Sequence, residues 1–544
     1  MSFPFDEAPL SRMPEEELSP LLIKFSAAMC GAGKTEFAVR MMAQNPGRYV
    51  YVVDRRDVFA ERAQRIRTKA AEVGIAIPII ELHSPRDKND KAGSINVKQD
   101  IAEAGELYRH LSHVAIIITH EGMKGADFAA YSGWTIIIDE VPTVWDSEAV
   151  RSSASYHHFE ACYNLRQIGD TKWSEVKAKA DSVSVAAYSG DDAMKKWTTF
   201  HQRITGKRGV FCNLSDWSEM APKGKVWWWW SLWSPHELKA FDAIYILGNA
   251  FNSTVTYKIL SHFFSESIRF EEFPIQSNRV WKSRRVTIRF FTDRHNAGRG
   301  FWTSKDDYPE GHECVTKWAD WVIENSDHEN HYWASNTYLL QGYENPLHQK
   351  PKKGRIPGIR VSPKIAGSND YDKLTVCSIL YTAKAAPYEI TLFREFGISP
   401  SDVHRSRELE DLIQIMFRCA IREPEDTRDI EVRVYDKDQA NFLVNYLREN
   451  FPHFDVPDPL YTDIGINHLE NRLTRVDIED LSPEEQEKII LKAKVKDAER
   501  KRLERDKKRE QKKADGTYRG RGRPPKNAAR VLSSPHPPNV TNAP

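Results

Sequence analysis

The chain of 544 residues is too long for a single hydrophobic core and predicts two or three domains. Its 40% hydrophobic and 28% charged residues are ordinary for a soluble globular protein, and no run of about 18 apolar residues is present to span a bilayer. The net charge of +1 hides an asymmetry: over residues 488–530, lysine and arginine exceed aspartate and glutamate by about a dozen, so a basic tail follows an acidic body and predicts a polyanionic partner.

The N-terminus, MSFPFDEAPLSRMPEEELSP, is acidic and proline-spotted and lacks the basic and apolar regions of a secretory signal. LLIKFSAAM then reads as a buried strand. KTEFAVRMMAQN follows with helical spacing, Phe37, Val39, Met41 and Met42 marking its apolar side. RYVYVVD is a second strand and VFAERAQRIRTKAAEVG a second helix that stops at Gly74. HVAIIITH and WTIIIDEV are further strands, apolar along their length and polar at their C-terminal ends. Such alternation predicts an α/β fold with a parallel sheet covered on both faces and a ligand site at the strand ends.

Residues 144–240 break the rhythm with a tryptophan-rich stretch culminating in KVWWWWSLW, read as an insertion; FDAIYILGNAF then returns to the first sheet. A second alternating block runs from RRVTIRFF through CVTKWADWVIEN, HYWASNTY, KLTVCSILYT, LEDLIQIMFRCAIR and DIEVRVYD to DQANFLVNYLREN. The expected domains are an N-terminal arm (1–20), a first α/β domain (21–285), a second (286–455), a linker (456–480) and a basic helix with a disordered tail (481–544). The six cysteines, Cys30, Cys162, Cys212, Cys314, Cys377 and Cys419, form no Cys-x-x-Cys pair and fit reduced thiols in a cytosol better than a disulfide framework.

Chemistry enters at Ala28-Met-Cys-Gly31-Ala32-Gly33-Lys34-Thr35. Small residues let backbone N–H groups curl around phosphates, the lysine reaches the β- and γ-phosphates, the threonine hydroxyl serves Mg²⁺, and the helix N-terminus faces the anion. Asp139 ends an apolar strand, where a carboxylate can hold the metal shell; Glu140 beside it can orient and deprotonate a water. The pair, in this order, predicts hydrolysis of ATP or GTP. In the second block, Gln414, Arg418 and Arg422 are four residues apart and are expected on one helix face, with an arginine offered to the γ-phosphate. The alternative is a surface helix whose arginines pair with Glu408, Glu410 or Asp411.

Together these stretches resemble a superfamily 2 helicase, most like the DEAD-like (DExx-box) helicases of phages and mobile elements, over about residues 20–440. AMCGAGKT resembles motif I, IIIDEVP motif II, YVVDRRDVFAERAQ motif Ia and IITHEGM motif Ib. ILGNAFNST stands in place of motif III without the usual Ser/Thr-Ala-Thr. KIAGSNDYDKLTVCSIL resembles motif V, with Gly367, Asn369 and Asp370 as candidate contacts, and QIMFRCAIR motif VI. The resemblance implies two RecA-like domains closing on ATP and Mg²⁺ at their cleft and moving along a nucleic acid, in a bacterial or phage-infected cytosol. Motif VI usually spaces its second arginine three residues after the first; here the spacing is four, so Arg418 and Arg422 both stand as the finger.

The resemblance also implies a single-strand groove along both domains, with Arg55, Arg56, His120 and Lys124 as phosphate contacts, DNA as the partner and RNA admitted in its place. Tryptophans 227–230 and Trp233 are candidate base-stacking platforms, although alternation along a strand buries at least half of them. In the tail, Arg521, Gly522, Arg523 and Pro524 resemble the core of an AT-hook, which inserts into the duplex minor groove; an unstructured basic linker is the other reading. His312, Cys314, His328 and His331 have zinc-ligand types without zinc-site spacing. Two other functions fit the same motifs: a terminase-like packaging ATPase, and a DNA-binding scaffold with ATP-switched affinity.

Overall fold

The computed structural model describes residues 20–85, 96–150, 156–169, 172–192, 194–206, 208–223, 226–275, 279–303, 309–339, 356–364 and 371–470, with scattered positions between 487 and 515. The chain divides into two units, residues 1–471 and 472–544, and the sheets described below all belong to the first. Its strands are β1 (Leu21–Ser26), β2 (Arg48–Val53), β3 (Ile79–Glu81), β4 (Val114–Thr119), β5 (Trp134–Asp139), β6 (Trp145–Val150), β7 (Tyr163–Gln167), β8 (Trp173–Ala178), β9 (Phe211–Asn213), β10 (Trp227–Leu232), β11 (Ala243–Leu247), β12 (Ile268–Glu272), β13 (Val286–Phe290), β14 (His331–Ser335), β15 (Ile359–Val361), β16 (Val376–Leu380), β17 (Ile430–Arg433) and β18 (Leu460–Tyr461).

The first sheet has the order β12-β1-β11-β5-β2-β4-β3 and is parallel throughout. The continuous apolar runs of β2, β4 and β5 are buried because helices cover both faces of such a sheet. Strand β11 lies between β1 and β5, so the loop after β1 and the carboxylate ending β5 flank one intervening strand. The other large sheet, β15-β14-β16-β17-β13-β18, is also parallel. Its edge strand β18 falls in the stretch read as a linker. The expected fold class holds: two parallel-sheet α/β lobes of RecA-like type, with a tryptophan-rich insertion in the first.

Helix α1 (Lys34–Gln44) turns Ala38, Val39, Met42 and Ala43 into the core, while Phe37 and Met41 of the expected apolar side are only half-buried. Helix α2 (Phe59–Ala71) ends in a left-handed turn at Gly74 (φ 73°), whose N–H bonds to the Ala71 carbonyl while that of Ile75 returns to Ala70. The expected helix over 409–422 stops early. It runs through a π-type turn (Arg405–Leu409) and Glu410–Met416; Cys419 is extended and Ala420–Arg422 forms a separate short turn. Gln414, Arg418 and Arg422 therefore do not share a helix face, and their convergence has another cause, given below.

The insertion is an antiparallel sheet, β6-β10-β9-β8-β7. Alternation along β10 sends Trp227 and Trp229 to one side, against Phe159, Trp197 and Phe200, and Trp228 and Trp230 to the other, against Trp173, Phe211 and Phe396. Both sides are covered. All four, and Trp233, are at most 8% exposed, so the burial expected of at least half extends to all and none is open as a base-stacking platform. Trp229→Ala is expected to cost about 3–5 kcal/mol of stability, read by chemical denaturation.

Candidate active site

The loop after β1 is shaped by two glycines with left-handed φ, Gly31 at 82° and Gly33 at 91°, which side chains rarely adopt. Gly33 caps α1, and the buried Lys34 folds back so that its Nζ donates to the carbonyl oxygens of Ala28 (2.6 Å) and Met29 (3.1 Å). A cation held on its own loop's carbonyls is a cation ready for a stronger acceptor. Ala32 is buried, its N–H donating to Met29.

Across β11, the Thr35 hydroxyl donates to Asp139 Oδ2 at 3.0 Å, and the buried Tyr51 hydroxyl donates to the same oxygen at 2.6 Å. Thr35 and Asp139 are thus close enough to share one divalent cation. Mg²⁺ commonly takes only one or two protein ligands beside phosphate and water, which fits this pair. Glu140 follows with φ 67°, an uncommon left-handed value for a residue with a side chain, its N–H fixed to the Leu247 carbonyl at 3.0 Å. Burial, then the neighbouring Asp139 charge, pushes its carboxyl up to about 7.

The other lobe completes the wall. Asn249, just after β11, donates to Glu410 Oε2 at 2.7 Å; Gln414 donates to Glu410 Oε1 at 3.0 Å; Arg418 Nη2 donates to Gln414 Oε1 at 3.3 Å. This relay carries Arg418 into the cleft although its backbone has left the helix. Arg422 arrives from the following turn. Lys34, Thr35, Glu140, Gln414, Arg418 and Arg422 all line one cleft. Burial pulls Arg418 below the usual guanidinium range against the attraction of Glu140. Burial, followed by the charges of Arg418 and Arg279, brings Arg422 down to about 10. Crowded, desolvated cations of this kind are stabilised by an anion between them.

Four participants were not singled out as site residues in the sequence: Tyr51 and Arg62, which also lines the cleft, lie within the stretch resembling motif Ia, Asn249 within the one in place of motif III, and Glu410 just before motif VI. Arg62 left a signal, because it falls on the helical stripe of Phe59, Ala63, Ile66 and Ala70. Tyr51 left none, being one more aromatic in a buried strand. Glu410 was expected only as an ordinary surface partner.

The nucleic-acid candidates divide. Arg55 and Arg56 line an open groove with His83, Ser84 and Lys98, Arg56 donating to the Pro85 carbonyl at 3.0 Å. His120 and Lys124 are buried, His120 Nε2 lying 3.1 Å from the Asp139 carbonyl and Lys124 Nζ donating to Thr143 at 3.2 Å. They brace the loop after β5 and are not surface phosphate contacts. Gly367, Asn369, Asp370 and the tail motif Arg521, Gly522, Arg523 and Pro524 lie outside the described residues. Among the described residues no cluster of three or more ligand-type side chains could hold a metal, and His331 is committed to Pro357 and Ser378, which removes the zinc reading. No described helix is long and apolar enough to cross a membrane.

No family model and no curated protein matches the sequence. Among solved structures, the fold overlaps one described as XPD_APO (11% identity, 82% of this chain and 97% of that one, TM-score 0.44). It also overlaps S. cerevisiae Dbp5 bound to RNA and ADP BeF3 (10% identity, 83% and 87%, TM-score 0.33) and the DUF1998 helicase MrfA bound to DNA (10% identity, 84% and 48%, TM-score 0.31). None of these overlaps assigns the chain to a family. The functional reading rests on the site.

Proposed function

We propose that this chain is an ATP-dependent nucleic-acid helicase or translocase of the superfamily 2 type, hydrolysing ATP between its two parallel-sheet lobes. The observation that carries this reading is the convergence of Lys34, Thr35, Glu140, Gln414, Arg418 and Arg422, from lobes far apart in sequence, on one cleft. Lys34 and the loop N–H groups bind the β- and γ-phosphates, with Ala28, Gly31, Ala32 and Gly33 giving the loop its shape. Thr35 and Asp139 hold Mg²⁺, which when bound screens phosphate charge. Glu140 orients and deprotonates the attacking water, and an arginine meets the charge developing on the γ-phosphoryl group. The resemblance implies nucleotide contacts at Gly367 and Asp370, which lie outside the described residues. The Asn249–Glu410–Gln414–Arg418 relay supplies the coupling: separation of the lobes breaks the Asn249–Glu410 bond and shifts the arginine.

The substrate of movement is DNA, as a single strand past Arg55 and Arg56 and as a duplex on the basic tail, in a cytosolic setting of bacterial or phage type. ATP turnover is expected to rise on adding single-stranded DNA, measured by phosphate release with and without the strand. Turnover indifferent to DNA and RNA alike favours the ATP-switched scaffold and removes the motor. Strand displacement by the full chain, compared with a chain ending near residue 480, separates unwinding from tail binding.

A further inference from the structure

Three arginines of the cleft, Arg62, Arg65 and Arg279, are in excess of the lysine-and-arginine scheme, and of these Arg62 alone is buried. Arg62 lies in the first turn of α2, on the face that packs against the first sheet, and is 4% exposed. Its Nη1 donates to Glu61 Oε1 at 2.9 Å, whereas its Nε, also buried, has no hydrogen-bond partner among the described residues. The guanidinium lines the same cleft as Lys34, Glu140 and Arg418. Burial alone lowers such a group, yet the attraction of Tyr51 and Asp139 outweighs it and leaves Arg62 raised. Asp139 is a shared partner at best, since the hydroxyls of Thr35 and Tyr51 already occupy its Oδ2. A buried guanidinium with an unmet donor, beside a cavity that also gathers Lys34, Arg65, Arg279, Arg418 and Arg422, is arranged for an anion held in that cavity.

We propose that Arg62 is a γ-phosphate contact supplied by the first lobe itself, facing Arg418 and Arg422 across the same phosphoryl group. The proposal rests on the nucleotide reading above and adds to it. The lobe that carries the phosphate loop then distinguishes a triphosphate from a diphosphate through its own side chain, before the second lobe contributes.

The test is equilibrium binding of ADP, and of ADP with beryllium fluoride as γ-phosphate mimic, to the full chain, at high and low Mg²⁺. In Arg62→Ala, affinity for ADP is expected to stay within about twofold, while affinity for the fluoride complex falls about 10- to 100-fold, the range for a charged hydrogen bond lost from a buried site. Arg62→Lys keeps the charge without the planar fork; it is expected to lose part of the same discrimination, and it decides the question if the alanine variant does not fold. Equal weakening of both ligands, or a change confined to the Mg²⁺ requirement, overturns the proposal and makes Arg62 a support for Asp139. A wild-type chain that binds neither ligand overturns the nucleotide reading as a whole, a result distinct from any change at residue 62.

Discussion

Replacing Arg418 with alanine is expected to slow ATP turnover by about 10³- to 10⁵-fold, the range for removing an arginine that stabilises the phosphoryl-transfer transition state. The physical reason is its position: 4% exposed, oriented by Gln414, and attracted by Glu140 across the cleft. A guanidinium so desolvated interacts with developing charge far more strongly than one in water. Steady-state phosphate release in saturating DNA reads the effect, and Arg422→Ala is the companion measurement. Arg422 has no hydrogen-bonded partner in the relay, so its loss is expected to cost less. A fall of under tenfold in Arg418→Ala, with a larger one in Arg422→Ala, would exchange the roles of the two.

The second large effect is expected from Glu140→Gln. Amide replaces carboxylate with the same shape, so ATP binding survives while the water loses its base. Turnover should drop by about 10²- to 10⁴-fold. Folding should not suffer, because the substitution removes a buried charge that Asp139 already disfavours. The left-handed backbone at this residue carries strain on the order of 1–3 kcal/mol, which nothing in the strand geometry requires and which aims the side chain into the cleft. Single-turnover hydrolysis, with nucleotide binding measured alongside, separates lost chemistry from lost affinity. Unchanged turnover would remove Glu140 as the base and leave the cleft as a binding switch.

The parts of this molecule that were legible in sequence are those where one residue type obeys one local rule. Apolar runs in β2, β4 and β5 announce a covered parallel sheet, and glycines 31 and 33 announce a loop that needs left-handed backbone. Lys34, Thr35, Asp139 and Glu140 lie at strand ends or helix starts, where spacing alone places them. The failures share a cause. Helical spacing set Gln414, Arg418 and Arg422 in line, but the helix ends at Met416, and Arg418 is placed by bonds running through Gln414 and Glu410 to Asn249 in the first lobe. His120 and Lys124 read as surface charges because local spacing does not show the carbonyls that hold them, those of Asp139 and Thr143, each 19 residues further on. For the tryptophans of β10, alternation implied that at least half are buried, and it says nothing of what packs on the second face. Tertiary partners decide such cases.

The insertion does more than shield its own core. Trp173 Nε1 donates to Glu395 Oε2 at 3.0 Å, Trp145 meets Phe393 edge-on at 5.4 Å, and Arg407, doubly bonded to Glu389, lies over the Trp145 ring at 5.3 Å. A strap rooted in the first lobe thereby grips the Pro387–Glu395 helix of the second, through residues that do not line the cleft of Lys34 and Arg418. On the proposed cycle the two lobes therefore part about this clasp of tryptophans rather than swinging free.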